Sequence, residues 1–403
     1  MPHGAAILRE IGKLLLGLLY AALLLAIAPV SIWLVFGART LVGRGLALLG
    51  VTTLAVGADL FLWFGRKAHR RLWGWSTVAL TLVWLATGYL ILRAAPTGRP
   101  PPGSPVRHGF AGGGRFDTFH PANVIPEIEQ VSFGLSVAPW LDPVLTRRQS
   151  RRVAGFTRPI YEQMQRDPNF RALGSALGGA YDELLGRPRG DGHYYLYVPR
   201  RRAKGPREAL LFLHGSGGNF KAYTWVWSRL AERRNLAVIA PSFALGDWSA
   251  DGAPAAALKA LDHAGGSVAI DPDRVFLAGL SNGGVGVCRL GATHGERFAG
   301  LIFLSPVLAG EVVRGEAFRE RWRGRDVLVV TGGDDRRIPL ARVRAHAAAM
   351  EAGGVDVREI VYPGEDHFLF FSQYRKVLED VSGWMDDVAA REPGGGRMEG
   401  AAR

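Results

Sequence analysis

Three apolar runs in the first quarter of the chain set the tightest limit on how it can fold. Residues 14–38 carry no charge, residues 46–64 are interrupted only by Asp59, and residues 72–92 form the third run. A helix needs about 20 predominantly apolar residues to cross ~30 Å of hydrocarbon. Inside lipid every backbone polar group must be satisfied within the segment, so runs of this length predict helices. Residues 1–95 are therefore expected to be a membrane region with three transmembrane helices. The first run exceeds the roughly 7–15 apolar residues of a signal peptide. Its exit, Val35-Phe36-Gly37-Ala38-Arg39, lacks a small-x-small cleavage site, so it reads as an anchor.

The formal net charge is +13. Residues 1–95 contribute +7 of it, from nine Lys/Arg set against Glu10 and Asp59. Basic residues beside apolar spans are expected for topological reasons, so nucleic acid is not needed as a partner. The densest basic cluster, Arg66–Arg71, is expected on the cytoplasmic side. Three spans then place the N-terminus in the cytoplasm and the C-terminal domain outside it, in a bacterial cytoplasmic membrane. Dropping the second span would reverse the flanks before it. Asp59 is costly within a span. It reads as a side chain near the interface or within reach of Arg66, rather than part of a transport path. Cys288, the one cysteine, excludes an intramolecular disulfide framework and any multi-cysteine metal site.

Residues 96–115 are a Pro/Gly-rich linker (TGRPPPGSP, then AGGG), a composition that resists both helix and sheet. Residues 116–190 have mixed helical spacing cut by Pro121, Pro126, Pro139 and Pro143, with helical stretches near 149–165 and 171–185. They read as a helical segment that packs on the main domain, forms a lid, or faces the membrane as a collar. Residues 391–403 read as a disordered tail.

From Gly192 strands and helices alternate. Strands are expected at 193–198, 209–213, 236–240, 275–278, 301–304, 327–331 and 357–361. Helices are expected at 223–234, 254–264, 340–352 and 371–388. Strands separated by helices of this length imply a mainly parallel sheet covered on both faces, so residues 191–390 form an α/β domain. Sites in such sheets lie at the C-terminal ends of the strands.

The chemistry-bearing residues follow strand ends. Gly279-Leu280-Ser281-Asn282-Gly283 reads G-x-S-x-G between a strand and a helix, the context a nucleophile elbow requires. His214-Gly215-Ser216-Gly217-Gly218 follows another strand, and such a turn can aim backbone N–H groups at a developing oxyanion. Ser216 and Asn282 are the expected donors. His214 is expected to brace that turn rather than act as a base. The acid comes from Asp334 or Asp335 after one strand, and the base is His367 after the last. This is the chain order Ser, Asp, His. Glu365 and Asp366 are expected to be solvated charges, and Cys288 a buried structural thiol. Phe220, Tyr223, Trp225, Trp227 and Trp248 line a pocket or belong to the core.

On these residues, the stretch from Gly192 to Val388 resembles the α/β-hydrolase superfamily. HGSGG, DPDRVFLAGLSNGG, GGDDRRIP and GEDHF are in the style of its esterase and depolymerase branches: phospholipase/carboxylesterases, feruloyl esterases and polyhydroxyalkanoate depolymerases. The resemblance implies an eight-stranded sheet, no cofactor and no metal, and hydrolysis through an acyl-enzyme. It also selects Asp335 as the acid, four residues before Pro339 in a D-x-x-[VI]-P turn. The expected function is that of a membrane-anchored serine hydrolase acting on a carboxylic ester, a small molecule or a lipid. An acyltransferase or peptidase on the same triad, or a non-enzymatic scaffold in a membrane complex, are the alternatives.

Overall fold

The computed structural model describes residues 2–65, 70–187 and 190–391. The chain divides into two compact units. One takes in the N-terminal helices to Ala95 together with Thr118–Gly134; the other takes in Pro96–Asp117 and the chain from Leu135 onward. The helical segment 116–190 is thereby divided within itself.

The first unit is built on helices α1 (Pro2–Gly37), α2 (Leu41–Gly65) and α3 (Arg70–Ala94). Within them Glu10–Gly37, Leu41–Phe61 and Gly74–Ala94 are long and apolar enough to cross a membrane. They leave large apolar side chains such as Leu14, Leu25, Leu82 and Leu90 uncovered. The second helix starts five residues ahead of its apolar run because its first turn is capped. Short helix α4 (Pro121–Val124) leads into α5 (Glu127–Leu141). Glu129 on α5 is buried, and its Oε1 accepts the N–H groups of Arg39 and Thr40 at 2.8 and 2.7 Å and the Thr40 hydroxyl at 2.9 Å. Thr40 Oγ1 in turn accepts the Gly43 N–H at 2.9 Å. These are the donors a helix start leaves unpaired. Gly43 has no side chain because a Cβ there would fall on the Glu129 carboxylate. Asp59 is buried and accepts the Ser76 hydroxyl, a partner its sequence neighbourhood does not announce. Residues 66–69 of the basic loop lie outside the described residues, so the orientation stays an expectation.

The second unit is an α/β unit built on one mainly parallel sheet. Its strands are β1 (Val106–Phe110), β2 (His193–Tyr197), β3 (Arg207–Leu213), β4 (Ala237–Pro241), β5 (Ile270–Leu280), β6 (Gly300–Leu304), β7 (Asp326–Gly332) and β8 (Asp356–Tyr362). They form one sheet in the order β1-β2-β4-β3-β5-β6-β7-β8. β2 runs antiparallel to both β1 and β4, and the remaining pairs are parallel. The interior of β3 (Ala209–Leu213) and all of β4 are buried, which is why they read as unbroken apolar runs rather than alternating ones. The linker read as irregular contains β1. Gly109 on β1 has no Cβ to block the Tyr194 ring of β2, and pairing with β2 makes it a strand.

Helix α6 (Arg147–Arg166) opens on a capping box between Thr146 and Gln149. Its buried residues Ser150, Val153, Thr157, Ile160, Tyr161 and Met164 recur every three or four positions. The helical stretch expected near 171–185 is two helices, α7 (Pro168–Leu173) and α8 (Gly178–Leu184). Gly174, at φ 78°, ends the first of them. Helices α9 (Lys221–Arg234), α10 (Ala253–Gly265), α11 (Gly283–His294), α12 (Gly310–Val313), α13 (Glu316–Trp322), α14 (Leu340–Ala352), α15 (Leu369–Ser372) and α16 (Tyr374–Ala390) complete the unit. Apart from Arg391, the expected tail lies outside the described residues.

Candidate active site

Ser281 sits between β5 and α11 with φ at 53°, a left-handed conformation that a non-glycine residue adopts only when its surroundings impose it. Here the backbone imposes it. The Ser281 N–H donates to Leu304 O at 2.9 Å, and Ser281 O accepts the N–H groups of Gly284 and Val307 at 2.9 and 2.8 Å. The flanking glycines have a steric cause. A Cβ on Gly279 would stand 2.5 Å from the Gly283 carbonyl oxygen, and one on Gly283 would fall on the Leu213 carbonyl at the end of β3.

His367 follows β8 and meets the serine: its Nε2 lies 2.9 Å from Ser281 Oγ, and its Nδ1 lies 2.8 Å from Asp335 Oδ2. Asp335 is buried, and its other oxygen accepts the N–H groups of Arg337 and Ile338, each at 2.9 Å. A carboxylate held by three donors has one orientation. Of the two adjacent aspartates, Asp335 is turned inward on His367, whereas Asp334 is exposed. Because Asp335 accepts at Nδ1, that nitrogen carries the proton, and the Nε2 lone pair faces the serine hydroxyl.

The glycine-rich loop after β3 abuts the elbow, and a Cβ on Gly215 would lie 3.2 Å from Ser281 Cβ. Among the described residues neither the Ser216 N–H nor the Asn282 N–H donates to any protein acceptor. Gly217 and Gly218 take φ values of 97° and 114°, which turn the loop back on itself. His214 is fully buried beneath it. Its Nδ1–H donates to Gly215 O at 2.7 Å and its Nε2 accepts the Phe243 N–H at 3.1 Å, so the ring is neutral. Burial, offset in part by the Gly215 bond, pushes its pKa down to about 4. Trp248 donates to His214 O at 2.8 Å, locking the brace from the other side.

Glu365 and Asp366 are not solvated. Asp366 is 5% exposed, and Arg152 on α6 reaches Glu365 at 2.7 Å and Asp366 at 3.3 Å. Glu365 also accepts from Ser372 and Gln373, each at 2.7 Å. Tyr223, Trp225, Trp227 and Trp248 are core residues, and only Phe220 of that aromatic group is half-exposed. Cys288 is buried, and burial raises its thiol to about 12. Among the described residues no group of three or more His, Cys, Asp or Glu side chains could hold a metal ion.

No family model and no curated protein matches the sequence. Solved structures do. The chain is similar to a thermostable esterase at 21% identity, with 48% of this chain and 58% of that chain covered and a TM-score of 0.41. It therefore spans less than two thirds of that esterase. It is also similar to a substrate-bound, fluorophosphonate-binding serine hydrolase of Staphylococcus aureus, at 17% identity, 48% and 92% coverage and a TM-score of 0.41. A third likeness is to esterase 2 of Thermogutta terrifontis, at 18% identity, 50% and 90% coverage and a TM-score of 0.40.

Several residues that frame the site were not singled out in the sequence. Besides Arg152, the Arg337 side chain beside Asp335 is ion-paired with Asp142. Glu183 on α8 accepts the Leu245 N–H at 2.8 Å, and Leu177 covers Gly218 of the glycine-rich loop. The segment 135–185 therefore braces the loops that carry Asp335 and His367 and the glycine-rich loop after β3. Their partners lie up to 214 residues away, so no spacing rule could have found them.

Proposed function

We propose that this protein is a serine hydrolase that cleaves carboxylic esters. The observation that carries the reading is the continuous chain Ser281–His367–Asp335, at 2.9 and 2.8 Å, with the serine held at φ 53° on a strand-to-helix turn. In this mechanism Ser281 Oγ attacks the ester carbonyl carbon while its proton passes to His367 Nε2. Asp335 stabilises the imidazolium through the Nδ1–H bond without taking the proton. The carbonyl oxygen becomes an oxyanion, held by the Ser216 and Asn282 N–H groups, whose lack of protein acceptors supports this role. The tetrahedral adduct collapses, the C–O bond breaks, and His367 returns the proton to the leaving alcohol. Water then attacks the acyl-enzyme with His367 again as base, releasing the acid and restoring Ser281.

Helices α1–α3 support anchoring in a lipid bilayer, which we assign to a bacterial cytoplasmic membrane with the catalytic unit outside. Substrates would then be esters at the membrane or in the envelope.

Labelling the detergent-solubilised protein with a fluorophosphonate probe tests the reading. Stoichiometric labelling is expected, with none in Ser281→Ala, whose esterase activity should fall by roughly 10⁴–10⁶. Folded protein that does not label would point to a non-catalytic scaffold instead.

A further inference from the structure

Helix α5 ends on two side chains that the fold does not use. Trp140 is 73% exposed and Leu141 is 80% exposed. The Arg147 guanidinium lies 4.3 Å over the Trp140 ring. Arg151 stands one turn further along the same face of α6, with Arg148 beside it, and all three arginines are exposed. None of the three pairs with a carboxylate among the described residues, whereas Arg152 and Arg158 on the same helix do. The patch thus combines an exposed indole capped on one face by Arg147, an exposed leucine and three guanidinium groups without a carboxylate partner among the described residues.

This composition suits a membrane–water boundary. An indole is favoured at headgroup level, and arginine buries its stem along apolar groups while its head meets phosphate. An excess of cations with no paired acid favours an anionic surface over an apolar protein face. Covalent attachment to α1–α3 raises the effective concentration of the patch at the bilayer, so a small contact suffices. We propose that this corner of the catalytic unit docks on the anionic surface of the bilayer that holds α1–α3. The inference rests on the reading of those helices as membrane spans and is independent of the chemistry at Ser281.

The buried, weakly acidic Cys288 allows a direct test on the full chain. An environment-sensitive fluorophore is attached at Leu141→Cys, or at Lys204→Cys beyond the opposite end of the sheet. Each protein is reconstituted into vesicles of phosphatidylcholine alone or mixed with phosphatidylglycerol. Resistance to alkaline carbonate extraction reports on the spans separately. With the spans inserted, the Leu141 probe should be blue-shifted and quenched by headgroup-level nitroxide lipid, but only in the anionic vesicles. The Lys204 probe should be neither. Replacing Arg147, Arg148 and Arg151 by Gln should lower the docked-to-free ratio by about fivefold for each arginine. Equal quenching at the two positions, or at Leu141 in both lipids, would overturn the proposal. So would a blue shift that depends on protein density without lipid quenching, since it would identify a second protein as the occupant.

Discussion

Gly283 shows how far a single missing methyl group can reach. Its Cβ would fall on the Leu213 carbonyl and come within 3.0 Å of the His214 carbonyl oxygen, so the elbow and the glycine-rich loop after β3 touch through bare backbone. Gly283→Ala must push one away from the other. We expect a loss of roughly 10²–10³ in kcat, the amount associated with a misplaced oxyanion donor, and about 1–3 kcal/mol of stability from overpacking. Gly179→Ala, where nothing lies within 4 Å, should change neither. Steady-state kinetics and chemical denaturation of the two variants check this. The glycines of this motif were legible because their steric reason is local. The choice of Asp335 over Asp334 came from the resemblance to a D-x-x-[VI]-P turn and not from sterics. Adjacent residues share their composition and strand context, and the physical difference between them is the inward turn of the Asp335 carboxylate onto His367.

At the level of elements, β3, β4, β6 and β7 could be located from apolar runs because burial on both faces leaves an unbroken pattern. β1 could not, because it is made a strand by the tyrosine-rich partner it pairs with. The contribution of α6 was equally hidden. Arg152 is exposed, but the carboxylates it holds are largely buried beside His367. Removing the arginine leaves Glu365 and Asp366 without their cation. We expect Arg152→Ala to lower kcat/KM several-fold and to cost about 1 kcal/mol, a figure discounted for solvent screening. A double-mutant cycle with Glu365→Gln should show coupling of about 0.5 kcal/mol or more. Additive effects would mean that the ion pair does not position the histidine loop.

At the level of the whole molecule, the α/β unit buries neutral imidazoles. His108 Nδ1 and His193 Nε2 lie 2.7 Å apart, and His193 Nδ1 lies 2.7 Å from Ser242 Oγ. Burial holds His108 near 4, against the pull of its bond to the Leu173 carbonyl, and keeps His193 well below its usual value. His214 is also held at about 4. As pH falls from 6.5 toward 4 the unfolded chain takes up protons at these residues and the folded chain does not, so stability falls through that window. For the fully buried His214 the loss amounts to ~3 kcal/mol. Denaturation midpoints of the α/β unit, measured from pH 7 to pH 4.5, should decline steeply. His214→Gln should be less stable at pH 7 but have a shallower decline. A slope unchanged by the substitution would remove His214 from the account.

The sequence by itself determined the long apolar helices, the alternation of strand and helix, and the residue types waiting at the strand ends, because each follows from short-range periodicity and sterics. It took the folded chain to show that the linker supplies the eighth strand, that Glu129 caps the second helix, and that Arg152 and Asp142 brace the loops around Ser281, Asp335 and His367. Those outcomes depend on groups dozens to hundreds of residues apart. Their pairing energies exist only once the chain has brought them out of water together.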